Sequence, residues 1–153
     1  MLEELFRNNE GFAAAGPGEL PKLPRRGLVI VTCMDHRIDP AAALGLDLGD
    51  AMVLRNPGGR VTPQLIEDLD VLDQVARERD SALGELELVL MQHTECGANA
   101  LSSTDPHDGV RGDIEALATD TSVPDSLSVT GLVYETATGR VELVERRAPL
   151  RGA

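Results

Sequence analysis

The fold of this 153-residue chain is decided by residues 28–37, which read LVIVTCMDHR. The apolar half of this stretch predicts a strand from Gly27 to Thr32 that is buried on both faces and therefore central in a parallel sheet. Cys33, Asp35 and Arg37 follow at the end of the strand. A buried strand thus leads directly into side chains that can bind a metal or carry charge.

A second cluster of the same kind follows another apolar strand, which is predicted from Glu85 to Gln92. His93 and Cys96 stand at its end, and the chain has no cysteine besides Cys33 and Cys96. Two thiolates and one imidazole form a soft ligand set that suits zinc. Because ligands bind beyond the carboxyl ends of parallel strands, we expect Cys33, His93 and Cys96 to hold one Zn²⁺ there, rather than the cysteines to form a disulfide.

The remaining hydrophobic pattern alternates between helix and strand periods. Helices are predicted over Met1 to Ala15, Asp39 to Ala43, Thr62 to about Asp80, Cys96 to about Leu101 and around Val110 to Leu117, with further strands over Ala51 to Leu54, Val129 to Tyr134 and Val141 to Val144, and a polar loop from Ser102 to Gly109. This order predicts an α/β fold in which helices flank a mostly parallel central sheet. We expect residues 1–153 to form a single domain.

Composition limits the classes of partner. The net charge is −12, from 14 basic and 26 acidic residues, and no basic stripe is present. Nucleic acid and anionic membrane surfaces are therefore unfavourable partners. No apolar run approaches the roughly 20 residues of a membrane span, and no secretory leader is visible. We expect a cytoplasmic protein with reduced thiols, and the absence of a Cys-x-x-Cys motif argues against a thiol redox protein.

Residues 1–26 form a predicted helix followed by an arm rich in glycine and proline. Leu2, Leu5 and Phe6 recur at helical spacing, which gives the helix an apolar side. That side must pack on something. Two interpretations remain open: the helix covers its own sheet, or it lies on a partner subunit.

The charged residues after Cys33 suggest how the site could work. A bidentate ion pair between Arg37 and Asp35 would keep the carboxylate ionised and away from the metal. Three protein ligands would then leave the fourth zinc position to water. Alternatively, Asp35 itself is the fourth ligand and the site is closed. The glycines at 58 and 59 permit a close approach of backbone to a ligand, and His36 and His107 are candidate proton shuttles.

Three motifs occur in a joint order that is specific: CMDHR at 33–37, RNPGG at 55–59 and HTECG at 93–97. Together they resemble the β-class carbonic anhydrases, and the resemblance extends from about Gly27 to Val144. It implies zinc-dependent interconversion of CO2 and bicarbonate through a zinc-bound hydroxide, an antiparallel strand that closes the sheet, and a substrate contact at the Gly58-Gly59 turn through the Gly59 N–H. It also implies a homodimer or homotetramer in which the N-terminal helix embraces a neighbour.

The segment between Gly97 and the last two strands is shorter than in many members of this family, and aromatic residues are scarce. Both features bear on the shape of the substrate channel. Two alternatives therefore stay open beside CO2 hydration. One is the hydrolysis of carbonyl sulfide or carbon disulfide by the same residues, and the other is a non-catalytic, bicarbonate-binding protein whose zinc is closed by Asp35.

Overall fold

The computed structural model describes residues 1–79 and 81–152, and these contain a five-stranded sheet in the order β2-β1-β3-β4-β5. The strands are β1 (Leu28–Cys33), β2 (Ala51–Asn56), β3 (Glu87–His93), β4 (Ser128–Tyr134) and β5 (Val141–Arg147). The first four are parallel, and β5 pairs with β4 in the antiparallel direction. The predicted fold class, a mostly parallel sheet with a closing antiparallel strand, is confirmed.

The helices in the described residues are α1 (Leu2–Ala15), α2 (Pro40–Leu44), α3 (Pro63–Arg77), α4 (Gly97–Ser102) and α5 (Pro106–Thr119), with short 3-10 turns at Pro57–Gly59 and Leu83–Glu85. Asp39 and Thr62 cap α2 and α3 through their side-chain oxygens, and each is followed by proline at the first helical position. This pairing satisfies backbone donors that a helix start leaves open. The predicted end of α3 at Asp80 lies outside the described residues.

One loop prediction is wrong. Residues 102–109 were expected to form a loop, but α5 already begins at Pro106. Asp105 accepts hydrogen bonds from the backbone N–H groups of His107 and Asp108, so it caps the helix. The Asp-Pro pair is the same start signal that opens α2, and here the polar composition of the segment hid it.

The central strands β1 and β3 lie side by side, and the chain leaves β1 for β2 on one edge before it returns to β3 on the other. Parallel pairing of β1 with β3 runs from Leu28 opposite Glu87 to Thr32 opposite Met91. A sheet of this order has its topological switch point between these two strands, where ligands bind. The main core lies on one face of the sheet against α3 and α5, and includes Val29, Val31, Leu65, Leu69, Leu88, Leu90, Val110, Ile114 and Leu117.

Helix α1 stands apart from this core. None of its residues, 2–15, is buried, and the Phe6 side chain is 61% exposed. The interpretation that α1 covers its own sheet is therefore wrong for the isolated chain. Among the described helices, none combines the length and the apolar character that crossing a bilayer requires.

We predict that Gly131→Ala lowers the free energy of unfolding by about 1–3 kcal/mol, because the new methyl group overpacks the contact between β4 and α5. A Cβ at Gly131 would lie 2.3 Å from Val110 Cγ1 and 2.9 Å from Ile114 Cδ1. Urea denaturation measures the change. The matched control is Gly112→Ala on the exposed side of α5, where no atom lies within 4 Å, and which should stabilise the helix by up to about 1 kcal/mol.

Candidate metal centre

Three buried side chains converge at the carboxyl end of the sheet. Cys33 is the last residue of β1, His93 is the last residue of β3, and Cys96 is the N-cap of α4. One ligand atom from each lies within 4.8 Å of the other two, and the two sulfurs are 3.8 Å apart. The structure thus brings together the three predicted ligands, which lie up to 63 residues apart along the chain.

The geometry of the two sulfurs suits zinc. Two thiolates at about 2.3 Å from one tetrahedral zinc ion lie about 3.8 Å from each other, which matches the separation of Cys33 Sγ and Cys96 Sγ. Both cysteines are free and buried. Soft sulfur ligands at this spacing are suited to zinc among the common divalent metals.

His93 offers a free lone pair at the same place. Its Nδ1 lies 2.8 Å from the carbonyl oxygen of Thr94 and 3.3 Å from Thr136 Oγ1. A carbonyl oxygen can only accept, so Nδ1 carries the proton and Nε2 does not. Among the residues that the structure describes, His93 Nε2 is the buried side-chain nitrogen or oxygen that has no hydrogen-bond partner. A buried acceptor without a donor is costly, and a metal ion would satisfy it.

Burial acts on the protonation states of the ligands. It raises the pKa of the Cys33 thiol, while the Gly58 N–H, 3.3 Å from Cys33 Sγ, favours the thiolate. It also lowers the pKa of His93, which keeps the imidazole neutral. A divalent cation would displace the thiol protons, and its positive charge would balance the two buried thiolates.

Asp35 and Arg37 form the predicted bidentate pair. Arg37 Nε and Nη2 donate to the two carboxylate oxygens of Asp35 at 3.0 and 2.8 Å, and the Arg37 backbone N–H adds a third bond at 2.9 Å. These hydrogen bonds hold the pKa of the Asp35 carboxyl well below its usual range. The carboxylate is therefore ionised at neutral pH, and these three hydrogen bonds leave an acceptor position free on Oδ2.

Arg37 also reaches the second ligand segment. Its Nη2 donates to the backbone carbonyl of Glu95 at 3.1 Å, and its Nη1 lies 3.3 Å from the Glu95 carboxylate. Glu95 adopts a left-handed backbone conformation with φ of 56°, which is uncommon for a residue with a side chain. One guanidinium thus joins the loop after Cys33 to the loop before Cys96.

The turn at 57–59 packs its backbone against the end of β1. Gly58 and Gly59 are both buried and have positive φ, which suits glycine. A Cβ on Gly59 would lie 2.8 Å from the backbone nitrogen of Cys33 and from the carbonyl carbon of Thr32. The two glycines thus bring the turn close to the strand that carries Cys33. Their predicted approach to a bound ligand stays a prediction.

Two further residues, Arg55 and Asn56, hold the loop after Cys33 and the glycine turn in place. No structural role was predicted for them from the sequence. Arg55 donates to the carbonyl oxygens of Cys33 and Ile38 at 2.9 and 2.8 Å. Asn56 closes the glycine turn through two hydrogen bonds of 2.8 Å with the backbone of Arg60. The sequence feature that could have indicated this role is that two polar residues end the otherwise apolar strand β2.

The two remaining histidines lie away from the ligands. His36 is 94% exposed, although its Nδ1 lies 3.9 Å from Asp35 Oδ1. His107 lies 3.3 Å from Asp105 and from Glu142, near the surface. Neither belongs to the cluster of ligand atoms, and any task for them in proton transfer stays a prediction.

The comparisons with known proteins agree with this geometry. The family model for carbonic anhydrase matches residues 28–124, well over half of the chain. β-Carbonic anhydrase 1 of Mycobacterium tuberculosis is 28% identical over 94% of this chain and 98% of its own. A solved carbonic anhydrase from Streptococcus mutans has a TM-score of 0.80, 33% identity, and covers 94% of this chain and 97% of its own.

A more partial similarity is to a protein that acts on a different substrate. A carbon disulfide hydrolase of Acidithiobacillus thiooxidans is 34% identical over 99 residues, which are 63% of this chain and 45% of the hydrolase. The match therefore covers less than half of that protein. The family model, the relatives and the Cys-His-Cys cluster at the end of the parallel sheet lead to one conclusion: the chain belongs to the β-carbonic anhydrase family.

Proposed function

We propose that this protein is a carbonic anhydrase that hydrates CO2 reversibly to bicarbonate with one zinc ion per subunit. The observation that carries the proposal is the set of ligand atoms of Cys33, His93 and Cys96, which lie within 4.8 Å of one another beside an ionised Asp35. Membership of the carbonic anhydrase family supports the same reaction.

Each residue has a defined task in this proposal. Cys33, His93 and Cys96 would hold a zinc ion, which supplies a water molecule whose pKa is lowered toward neutrality, a property for which carbonic anhydrase is the usual example. Asp35 accepts a hydrogen bond from the attacking oxygen and orients it, and Arg37 holds the carboxylate in place.

The glycine turn completes the site. Gly58 donates its N–H to Cys33 Sγ and so moderates the charge of that ligand. Gly59, whose backbone lies against the end of β1, offers its N–H to the developing carboxylate of the product. Both tasks depend on a turn without side chains at these two positions.

The Asp35–Arg37 pair favours an open fourth position over a closed site. Both carboxylate oxygens of Asp35 are engaged by Arg37. To become the fourth ligand, Asp35 would have to exchange these hydrogen bonds for a metal bond. The non-catalytic alternative, in which Asp35 closes the zinc site, therefore has less support than the open one.

Hydrolysis of carbon disulfide or carbonyl sulfide is the second candidate, because a carbon disulfide hydrolase shares 34% identity over 99 residues. The same residues could orient an attacking water toward either substrate. Release of sulfide from carbon disulfide, without CO2 hydration, would select this candidate.

We further propose that residues 1–153 form one domain that assembles as a homodimer or homotetramer in the cytoplasm, with residues 1–26 on a neighbouring copy. Helix α1, which has no buried residue, supports this, because Leu2, Leu5, Phe6 and Phe12 present apolar surface to solvent in a single chain. Two free, buried thiols accord with a reducing compartment.

The metal prediction concerns zinc content. We expect His93→Gln to lose most of its zinc after dialysis, because it removes the only nitrogen ligand and leaves a two-sulfur site. His36→Gln is the matched control, since that ring is exposed, and should keep one zinc per chain. Elemental analysis of both proteins decides; equal zinc contents would contradict the assigned ligand set.

The catalytic prediction concerns the ion pair. Stopped-flow assays on the zinc-loaded protein should show CO2 hydration above the buffer rate, and Arg37→Ala should lower kcat/KM by about 10–100-fold, because the released Asp35 can turn to the metal. Arg111→Ala on the surface of α5 is the control and should leave the rate unchanged. A wild-type protein that does not exceed the buffer rate between pH 7 and 9 would reject the proposed reaction.

The assembly prediction concerns α1. Phe6→Ser should lower the molecular mass in sedimentation velocity toward that of a monomer, because it removes an aromatic side chain from the proposed contact. The neighbouring Arg7→Ser, also on an exposed position of α1, serves as the control and should sediment like the wild type. A monomeric wild type at micromolar concentration would argue against the assembly.

A further inference from the structure

A buried polar cluster lies next to the segments that carry the three ligands. It consists of Arg60, Gln92, Asn99 and Asp113, and we call it the Asp113 cluster. Asp113 Oδ2 accepts hydrogen bonds from Arg60 Nε and from Gln92 Nε2, both at 2.8 Å, and Oδ1 accepts from Arg60 Nη2 at 3.1 Å. Asn99 Nδ2 lies 3.3 Å from Gln92 Oε1.

The position of Asp113 is unusual for a carboxylate. It lies on the core side of α5 between Val110 and Ile114, and only 3% of its surface is exposed. Burying an ion pair is expensive and adds little to stability compared with apolar residues of the same size. A task other than holding the fold together would explain why a carboxylate stands there.

The helix makes room for this cluster. Gly109, one turn before Asp113, is buried against the Gln92 amide, and a Cβ at that position would lie 2.4 Å from Gln92 Oε1. Gln92 itself is fully buried and reaches α5 because side chains alternate along β3, so that Gln92 and His93 point to opposite faces. The amide is therefore fixed between the helix and the strand end.

Each arm of the cluster belongs to a segment that carries or supports a ligand. Gln92 directly precedes His93, and Asn99 lies three residues after Cys96 in the short helix α4. Arg60 follows the glycine turn, whose Gly58 N–H lies 3.3 Å from Cys33 Sγ. Asn99 also faces that turn, since a Cβ on Gly58 would lie 3.0 Å from Asn99 Oδ1.

We propose that Asp113 is a positioning residue for the metal centre, an inference that rests on the proposed zinc site. From a helix that holds none of the three ligands, its carboxylate fixes Arg60 and Gln92 and, through Gln92, Asn99. The cluster thereby sets the distance from the glycine turn to Cys33 and the direction of the strand end that carries His93. When the carboxylate is removed, the Gly58 N–H moves relative to the Cys33 thiolate, and the ligand set loses part of its preorganisation.

The test uses Asp113→Asn, which keeps the shape of the side chain but places an amide donor against the Arg60 fork. Zinc affinity is measured by competition with a chelator, and the protein is also loaded with Co²⁺, whose sulfur-to-metal absorption band reports the thiolates directly. We expect the zinc dissociation constant to rise about tenfold and the absorption band to shift.

The matched control is Ile114→Val, a buried truncation at the next position of α5, which lowers stability without removing a hydrogen bond. It should bind zinc like the wild type and keep the wild-type absorption band. Asp113→Asn with wild-type affinity and an unchanged band would overturn the proposal, and so would the same changes in both variants, because they would then follow from lowered stability alone.

If Asp113→Asn does not fold, Arg60→Lys decides. It keeps the charge at a partly exposed position but loses the two-pronged bond to Asp113, and it should shift the band in the same test. An unshifted band in that variant would overturn the proposal. Neither readout needs a substrate. A wild type that binds zinc but does not hydrate CO2 would therefore refute the proposed reaction without refuting the positioning role of Asp113. A wild type that binds no metal would refute both.

Discussion

The structure depends on the parallel pairing of β1 with β3. These strands start far apart in the chain, yet their register places Cys33 and His93 at the same end of the sheet. Their junction is also the switch point, from which the chain connections diverge to opposite edges and leave a crevice. Cys96 reaches the same place without a further strand, because it is the N-cap of helix α4, which follows β3 after a three-residue loop.

The buried polar side-chain atoms that the structure describes around the three candidate ligands have hydrogen-bond partners, except for one acceptor, His93 Nε2. Thr94 and Thr136 engage His93 Nδ1, and the Gly58 N–H faces Cys33 Sγ. Among the described residues, His93 Nε2 is left without a partner in the buried interior. A divalent metal ion would resolve this imbalance, because it would accept the lone pair and neutralise the two thiolates at once.

Two guanidinium groups connect segments that the sheet alone would not hold. Arg37 bridges Asp35 and the Glu95 carbonyl on the two loops that lead to the ligands, and Arg60 binds Asp113 on α5. The planar fork of arginine suits both positions, since each makes two-pronged contact with a carboxylate. Each arginine therefore holds together segments that lie next to the site, whereas no residue of α1 is buried in the single chain.

The sequence by itself determined the α/β class, the grouping of Cys33, His93 and Cys96 as candidate metal ligands, and the Asp35–Arg37 pair. These rest on local signals: continuous apolar runs, and chemical groups placed directly after them. Only the tertiary structure decided that α5 starts at Pro106, that Arg55 and Asn56 fasten the loops, and that Asp113 reaches Gln92 across 21 residues of chain. Such contacts depend on how helices lie against the sheet, and a linear pattern records which residues are polar but not which of them meet.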